Sequence, residues 1–215
     1  MLTLAVDTAA EIGSIALASF SPDGASQTLE QIRLQAPGGF GQILFGKLEA
    51  LLARGHVRLA DIDLYAASTG PGSFTGVRVG LAAIKGLAEV SGKPAVGVSS
   101  LAALAQYGST DLRAPLIDAK RGEVFAALYD VNGEEIIPES VLPFREFQAL
   151  IGSRRVEYIS AGFDPGQAVT AAPHELAGMV ARLAIQRYLS GGSCDPASIE
   201  ANYVRRSDAE ILWKE

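Results

Sequence analysis

The chain has 215 residues, of which 48% are hydrophobic, with a formal charge of −6 and a pI near 5.0. This length suits one large domain or two small lobes with a substantial core. An acidic chain is not expected to bind nucleic acid alone, because such proteins usually present a basic face. Cys194 is the only cysteine, which excludes internal disulfides and fits a reducing compartment. With neither a signal-peptide pattern nor a membrane-length apolar run, the chain is predicted to be cytoplasmic and free of membrane contact.

The first hundred residues predict a mixed β-sheet with helices. Apolar, β-compatible runs predict strands at residues 2–7, 14–20 and 28–34, with a hairpin turn at Pro22-Asp23-Gly24. A helix is predicted at residues 40–54, after the breaker Ala36-Pro37-Gly38-Gly39.

Residues 64–98 read as strand, glycine turn, helix and strand, which predicts a parallel crossover. The helix is expected at residues 75–91, with Ser73 or Thr75 as its N-cap. The turn is not a Walker loop, because Gly76 is followed by Val77 rather than lysine. It also misses the G-x-G-x-x-G pattern, since Thr75 stands at the third glycine. A tight strand-to-helix turn is the plain interpretation.

Both predicted helices carry more apolar surface than a helix covering a sheet needs. Apolar residues span an arc of about 200° on the first helix, against roughly 100° for an ordinary surface helix. Two interpretations stay open, namely packing of the helices within the chain or contact with a partner. The residues predicted to contact a partner are Phe40, Leu44, Leu48, Leu52, Val77, Leu81 and Ile84.

The second half repeats the start of the first. Residues 6–18 align with residues 117–129 at an offset of 111, so that Asp7 falls on Asp118, Ala16 on Ala127 and Leu17 on Leu128. A boundary is therefore predicted near residue 108, giving lobes at residues 1–108 and 109–215. Further predicted elements are a helix at 101–107, a strand at 133–142, a helix at 143–151, a strand at 156–161, a helix at 174–189 and a polar tail with Arg205-Arg206 and Trp213.

Two β-sheet lobes, each opening with a strand that ends in aspartate, follow the plan of the actin, Hsp70 and sugar-kinase superfamily. In that superfamily the two aspartates face a nucleotide and a metal ion, so Asp7, Thr8 and Asp118 are candidate nucleotide-binding residues. The competing interpretation is that both aspartates cap the turns that follow their strands.

Residues for metal or nucleophilic catalysis are scarce. His56 and His174 are far apart, and neither has a partner at metal-ligand spacing. No G-x-S-x-G elbow accompanies them. We therefore expect no metal site and no hydrolytic triad. The basic pair Lys120-Arg121 is expected to face solvent, phosphate or a partner.

The stretch S-T-G-P-G-S-F-T-G-V-R-V-G at residues 68–80, called the glycine signature below, resembles the signature of the bacterial TsaB family. The resemblance extends to L-x-V-D-T at 4–8, P-A-V-G-V-S-S-L-A-A-L-A at 94–105, the repeat at 117–129 and N-Y-V-R at 202–205. The chain departs from many relatives before the first helix, where they have a histidine-serine pair and it has Gly38-Gly39-Phe40-Gly41, and at Ala201, where they have proline. The first departure makes a polar role at that helix start doubtful.

The resemblance implies an α/β, actin-like fold of two duplicated mixed-sheet lobes, the second one reduced. It implies a non-catalytic subunit that binds a TsaD-like catalytic subunit through the two first-lobe helices, with a TsaE-like ATPase joining the pair. The complex would transfer threonylcarbamoyl to N6 of adenosine 37 in tRNAs that read ANN codons. The chain would contact tRNA only through the complex, and it would form a homodimer when alone. It would have no cofactor of its own, because ATP and magnesium would act at the level of the complex. A small-molecule kinase or ATPase of the same superfamily is the alternative.

Overall fold

The computed structural model describes residues 1–21 and 24–204, and the chain divides into two units. The first unit contains Met1–Ser100 and His174–Ala201. The second contains Leu101–Pro173 together with residues 202–204 of the described chain. This division differs from the predicted boundary near residue 108, because a late segment returns to the first unit. Pro22 and Asp23 of the predicted turn, and the tail residues Arg205, Arg206 and Trp213, lie outside the described residues.

Five strands form the sheet of the first unit. They are β1 (Leu2–Asp7), β2 (Gly13–Phe20), β3 (Ser26–Leu34), β4 (Leu64–Ser68) and β5 (Ala95–Val98), in the order β3-β2-β1-β4-β5. β1, β2 and β3 pair antiparallel, as a meander does, whereas β4 pairs parallel with both β1 and β5. The predicted mixed sheet with a parallel crossover is confirmed.

Helices cover both faces of this sheet. α1 (Leu44–Arg54) and α2 (Phe74–Ser91) share one hydrophobic cluster with Leu4 and Val6 of β1. Side chains alternate along a strand, so Ala5 between them faces the other side. There α5 (Ala177–Leu189) packs against β1, β2, β4 and β5.

The assignment of α5 to the second lobe was wrong, and the reason lies in the first sheet. β1 and β2 are buried almost throughout, so each of their faces needs a cover. The start of α5 is tied to the meander by two hydrogen bonds. The Ala177 amide donates to Ser14 Oγ at 2.9 Å, and the Gly178 amide donates to Gln31 Oε1 at 3.0 Å.

The second unit repeats the sheet of the first. Its strands are β6 (Leu112–Asp118), β7 (Glu123–Asp130), β8 (Glu135–Pro143), β9 (Glu157–Ser160) and β10 (Thr170–Ala171), in the order β8-β7-β6-β9-β10. This order and the strand directions match the first sheet, which confirms the duplication. α3 (Ser100–Ala105) begins at the end of the first unit, and α4 (Phe144–Ile151) follows β8. Residues 161–169 contain no helix where α2 joins β4 to β5 in the first unit, so the second copy is reduced as expected.

The strand register corrects the predicted residue equivalences. Asp7 pairs with Ser14, whereas Asp118 pairs with Val124, so the second turn is one residue shorter. The structural equivalent of Ala16, the partner of Ala5, is therefore Ala126, the partner of Leu116, and not Ala127. A shift of one residue moves a side chain to the opposite face of a sheet. Ala126 and Ala127 accordingly lie in different hydrophobic clusters.

Glu157 of β9 binds the segment that precedes β6. Its Oε2 accepts hydrogen bonds from the amides of Ser109 at 2.6 Å and Thr110 at 2.8 Å, and its Oε1 accepts one from Thr170 Oγ1 at 2.6 Å. Burial raises the pKa of this carboxyl, but the bonds from Thr170, Ser109 and Thr110 outweigh burial and lower the pKa to about 2.

Replacing Glu157 with glutamine should weaken the fold in a pH-dependent manner. Because the folded pKa lies below the ordinary value of 4.5, the stabilisation is present above pH 4.5 and is lost as the pH falls toward 2. We expect Glu157→Gln to lower the free energy of unfolding by about 1 kcal/mol at pH 7, with the difference vanishing near pH 2. Urea unfolding followed by circular dichroism measures both values. The exposed Glu11→Gln is the control, and an effect independent of pH would contradict the argument.

Candidate functional site

The candidate aspartates at the ends of β1 and β6 make the same local structure. Asp7 Oδ1 accepts a hydrogen bond from the Ala9 amide at 3.1 Å, and Asp118 Oδ1 accepts one from the Lys120 amide at 2.8 Å. Each aspartate therefore caps the turn after its strand, as one of the two interpretations expects. The two residues belong to different units, and a nucleotide-binding role for them stays a prediction.

The surroundings of the two carboxylates differ. Asp7 is buried, and its Oδ1 also accepts a hydrogen bond from Ser68 Oγ at 2.6 Å. Burial raises the pKa of Asp7, and the bonds from Ser68 and Ala9 counteract this only in part. Asp118 Oδ2 lies 2.7 Å from Lys120 Nζ, and that bond lowers the pKa of Asp118. Burial therefore destabilises the charged form of Asp7, whereas the bond from Lys120 stabilises the charged form of Asp118.

Thr8 connects the turn after β1 to the start of α2. Its Oγ1 donates a hydrogen bond of 2.7 Å to the carbonyl of Gly76. The Ser73 amide donates to the carbonyl of Ala9 at 2.6 Å. Ser73 is also the N-cap of α2, because its side chain accepts a hydrogen bond from the Gly76 amide. The polar atoms of Thr8 and Ser73 thus hold the helix against the strand.

The glycines of the signature are explained by this close approach. A Cβ at Gly72 would lie 2.1 Å from the carbonyl oxygen of Ala9, and one at Gly76 would lie 2.0 Å from that of Thr8. At Gly80 it would lie 2.4 Å from Thr8 Oγ1. Gly76 and Gly80 are four residues apart and therefore share one face of α2. The glycines at every fourth position, Gly72, Gly76 and Gly80, are a signal from which this contact could have been predicted.

The predicted partner residues lie mostly in the interior of the first unit. Six of the seven are buried in its hydrophobic cluster and the seventh, Leu52, is partly buried against it; the six are Phe40, Leu44, Leu48, Val77, Leu81 and Ile84. Packing within the chain, the other open interpretation, accounts for these side chains. That the two helices bind a partner stays a prediction, but contacts would have to come from other residues.

The two helices expose a different set of side chains. Ala82, Gly86 and Val90 follow one another at four-residue spacing on α2, and all three are exposed; they are called the exposed α2 face below. Phe45 on α1 is 61% exposed. At the first turn of α2, the Arg78 guanidinium lies 3.6 Å above the centre of the Phe74 ring.

The described residues contain neither a cluster of metal ligands nor a helix that could span a membrane. Within residues 1–21 and 24–204, no group of three or more His, Cys, Asp and Glu side chains is arranged to hold a metal ion. No helix in the described part has the length and apolar character needed to cross a bilayer.

The two sheets share the same strand order, and each begins with a strand that ends in a turn-capping aspartate. These features define an α/β protein of the actin-like fold. The structure of YeaZ from Pseudomonas aeruginosa has this fold. It superposes with a TM-score of 0.77 at 27% sequence identity, covering 94% of this chain and 99% of that one.

The sequence comparisons assign the family. Residues 40–172 match the family model described as TsaD, tRNA N6-adenosine threonylcarbamoyltransferase. The chain is 38% identical over 140 residues to the tRNA threonylcarbamoyladenosine biosynthesis protein TsaB of Escherichia coli K12 and 33% identical over 109 residues to that of Bacillus subtilis 168. These matches cover 62% and 48% of this chain and span 58% and 48% of the relatives. Because the model covers more than half of its residues, the chain belongs to this family, and its place among the TsaB proteins is confirmed.

Substitutions at Asp7 should separate its charge from its hydrogen bonds. Because the folded pKa lies above the ordinary value of 3.8, the folded state binds this proton more tightly, and stability falls as the pH rises above about 4. Asp7→Asn keeps an acceptor for Ser68 and Ala9, so it should remove this pH dependence and retain or raise stability at pH 7. Asp7→Ala should lower the free energy of unfolding by about 1–3 kcal/mol, since it leaves two buried donors unpaired. Urea unfolding between pH 4 and 8 measures both. Equal losses in the two variants would contradict this account.

Alanine substitutions at two glycines of α2 should have opposite effects. Gly76→Ala should lower the free energy of unfolding by at least about 2 kcal/mol, because the new methyl group collides with the Thr8 backbone. Gly86→Ala should raise it by about 0.5–1 kcal/mol, because its Cβ would meet open space and alanine favours helix. Urea unfolding of the two variants measures the difference, and similar values would show that the close approach is not limiting.

Proposed function

We propose that this chain is a non-catalytic subunit in the synthesis of tRNA N6-threonylcarbamoyladenosine. It binds a TsaD-like catalytic subunit, which transfers threonylcarbamoyl to N6 of adenosine 37 in tRNAs that read ANN codons. The names of the TsaB relatives support the pathway, and the family model that matches this chain supports a TsaD-related complex. A cytoplasmic location is part of the proposal and agrees with the single cysteine.

Gly86 is the observation that carries the proposal of a partner. A glycine inside a helix costs about 1 kcal/mol relative to alanine, so its presence needs a reason. At Gly76 and Gly80 the reason is contact within the chain, but a Cβ at Gly86 would meet no atom of the described residues within 4 Å. Close approach of a second helix is the use that remains, since small residues at four-residue spacing let two backbones come together. Val90 lies on the same face of α2 and is 88% exposed. An apolar side chain exposed to this extent is typical of a surface that binds a partner.

The same face can serve a homodimer and a mixed dimer. An antiparallel pair of α2 helices crossing near residue 84 places Ala82 opposite Gly86 of a second copy and Arg78 beside Glu89. This arrangement joins small residues at the centre and opposite charges at the ends. Since this chain matches a TsaD model, a TsaD-like partner is expected to have an equivalent helix and to replace one copy. A TsaE-like ATPase would join the mixed pair.

The polar groups at the strand ends support a non-catalytic role. Asp7, Thr8 and Asp118 each bond to atoms of their own unit, in the manner of residues that shape turns. We therefore propose that ATP and magnesium act at the level of the complex and that this chain has no cofactor of its own. The alternative, a small-molecule kinase or ATPase, predicts tight magnesium-dependent ATP binding by the isolated chain, which calorimetry would detect.

Charged substitutions on the exposed α2 face should abolish the complex without unfolding the chain. Ala82→Glu and Gly86→Glu place a carboxylate where the second helix must approach, and we expect at least a tenfold loss of affinity, equivalent to about 1.4 kcal/mol. Size-exclusion chromatography with light scattering, on the chain alone and mixed with the TsaD-like protein of its organism, measures both assemblies.

The control is Ala149→Glu, which adds the same charge at an exposed position on α4. A substitution at Leu81 is not a suitable test, because that side chain is only 6% exposed and a charge there should unfold the first unit. If Ala82→Glu and Gly86→Glu assemble like the unmodified chain, the partner face lies elsewhere.

A further inference from the structure

Lys85 of α2 is held by the chain segment that follows α5. Its Nζ donates hydrogen bonds to the carbonyl oxygens of Ile199 at 3.0 Å and Ala197 at 3.2 Å. Both acceptors belong to residues 193–201, called the strap below, which lie in the first unit like α2. The strap is itself anchored, because Ile199 is buried in the hydrophobic cluster of that unit. The ammonium group of Lys85 therefore has a defined position.

The charge of Lys85 is not balanced by any described residue. None of the ion pairs between described residues includes Lys85, although Glu89 stands four residues later, at the spacing of a helical ion pair. The carbonyl oxygens of the strap are neutral, so they solvate the ammonium group without cancelling its charge. They use two of its three N–H donors, and the third can serve a further acceptor.

Lys85 lies at the border of the exposed α2 face. It follows Ala82 by three residues and immediately precedes Gly86, so it is about 60° from Ala82 around the helix. Lys85 is partly buried, whereas Ala82 and Gly86 are exposed. A helix that covers this face would remove water from the ammonium group. Removing water from a charge is unfavourable unless an opposite charge takes its place.

A second copy of this chain offers no such opposite charge. In the antiparallel pair that crosses near residue 84, Lys85 lies opposite Ala83 of the second copy. Residues 79–87 extend about one turn to either side of that position, and Lys85 is the only charged residue among them. The second copy therefore brings another cation and no carboxylate to this part of the contact. Its Glu89 lies beside Arg78 instead.

We propose that Lys85 selects the partner helix, and that it favours a TsaD-like subunit with an aspartate or glutamate opposite it over a second copy of this chain. The inference rests on the proposed function, which supplies the partner and the use of the exposed α2 face. A carboxylate at that position accepts the third N–H and cancels the charge, whereas the homodimer leaves two such charges unpaired. Specificity of this kind comes from penalising the wrong partner as well as from contacts with the right one.

The test replaces Lys85 and measures both assemblies. Lys85→Met removes the charge, and Lys85→Gln removes it while keeping a donor for a strap carbonyl. Calorimetry at several salt concentrations measures affinity for the TsaD-like protein of the same organism, and sedimentation velocity measures the homodimer. Both variants should bind the TsaD-like protein at least about tenfold more weakly at low salt, and with less dependence on salt, because a charge pair is lost. The homodimer should instead tighten at least about threefold, because its unpaired charges are gone.

Two further variants separate the charge from the structure around it. Lys85→Arg keeps the charge, so the mixed dimer should keep its salt dependence and its advantage over the homodimer. Ile199→Ala loosens the strap by removing a buried side chain, so it should lower the thermal midpoint and leave the preference for the TsaD-like protein in place. Thermal unfolding followed by circular dichroism shows that each variant folds, and Lys85→Gln decides the test if Lys85→Met does not.

The outcomes separate this inference from the proposed function. If the uncharged variants weaken both assemblies equally, Lys85 acts only by holding the strap, and the inference is overturned. It is also overturned if the mixed dimer keeps its affinity and salt dependence in those variants. In both cases the unmodified chain still binds the TsaD-like protein, so the proposed function stands. If the unmodified chain forms no complex with that protein, the proposed function fails together with the inference.

Discussion

The structure of the first unit depends on the close approach between the start of α2 and the turn after β1. Two hydrogen bonds, from Ser73 to Ala9 and from Thr8 to Gly76, join the helix to the strand end. They require the backbones to lie closer than any Cβ allows, and Gly72, Gly76 and Gly80 remove the obstacle. The glycine signature is therefore a packing motif. Its conformational cost is offset by burial of the surrounding core and by satisfied backbone groups.

Because of this close approach, the two sides of α2 have different surroundings. One side must fit the sheet, and its glycines have contacts that explain them. The other side carries Gly86 and Val90, for which the described part of the chain offers no contact of comparable closeness. A helix with small residues on both sides is suited to lie between a sheet and another helix. That is the physical basis for proposing a partner at the exposed α2 face.

Duplication followed by unequal loss explains the second unit. Both sheets keep the same strand order and the same aspartate-capped turn, but within residues 1–21 and 24–204 only the first sheet has a helix between its two parallel outer strands. The surroundings of Asp7 and Asp118 shift their pKa values in opposite directions. Burial raises the pKa of the first, whereas a bond from Lys120 lowers the pKa of the second. One strand end became part of a packed core, and the other became a charged surface turn.

Local patterns in the sequence determined much of this protein. Apolar runs, glycine and proline breakers and the repeat predicted most strands and helices, the mixed sheets and the duplicated fold, because these depend on neighbouring residues. The glycine signature and the other matching stretches indicated the family. The tertiary structure alone decided which sheet α5 covers, which apolar residues of α1 and α2 are buried, and that the second turn is one residue shorter. The first two depend on contacts between segments far apart in the chain, and the third depends on which residues of β6 and β7 pair. The hydrophobicity of a side chain predicts that it is buried. It does not predict whether the core of the same chain or a partner protein buries it.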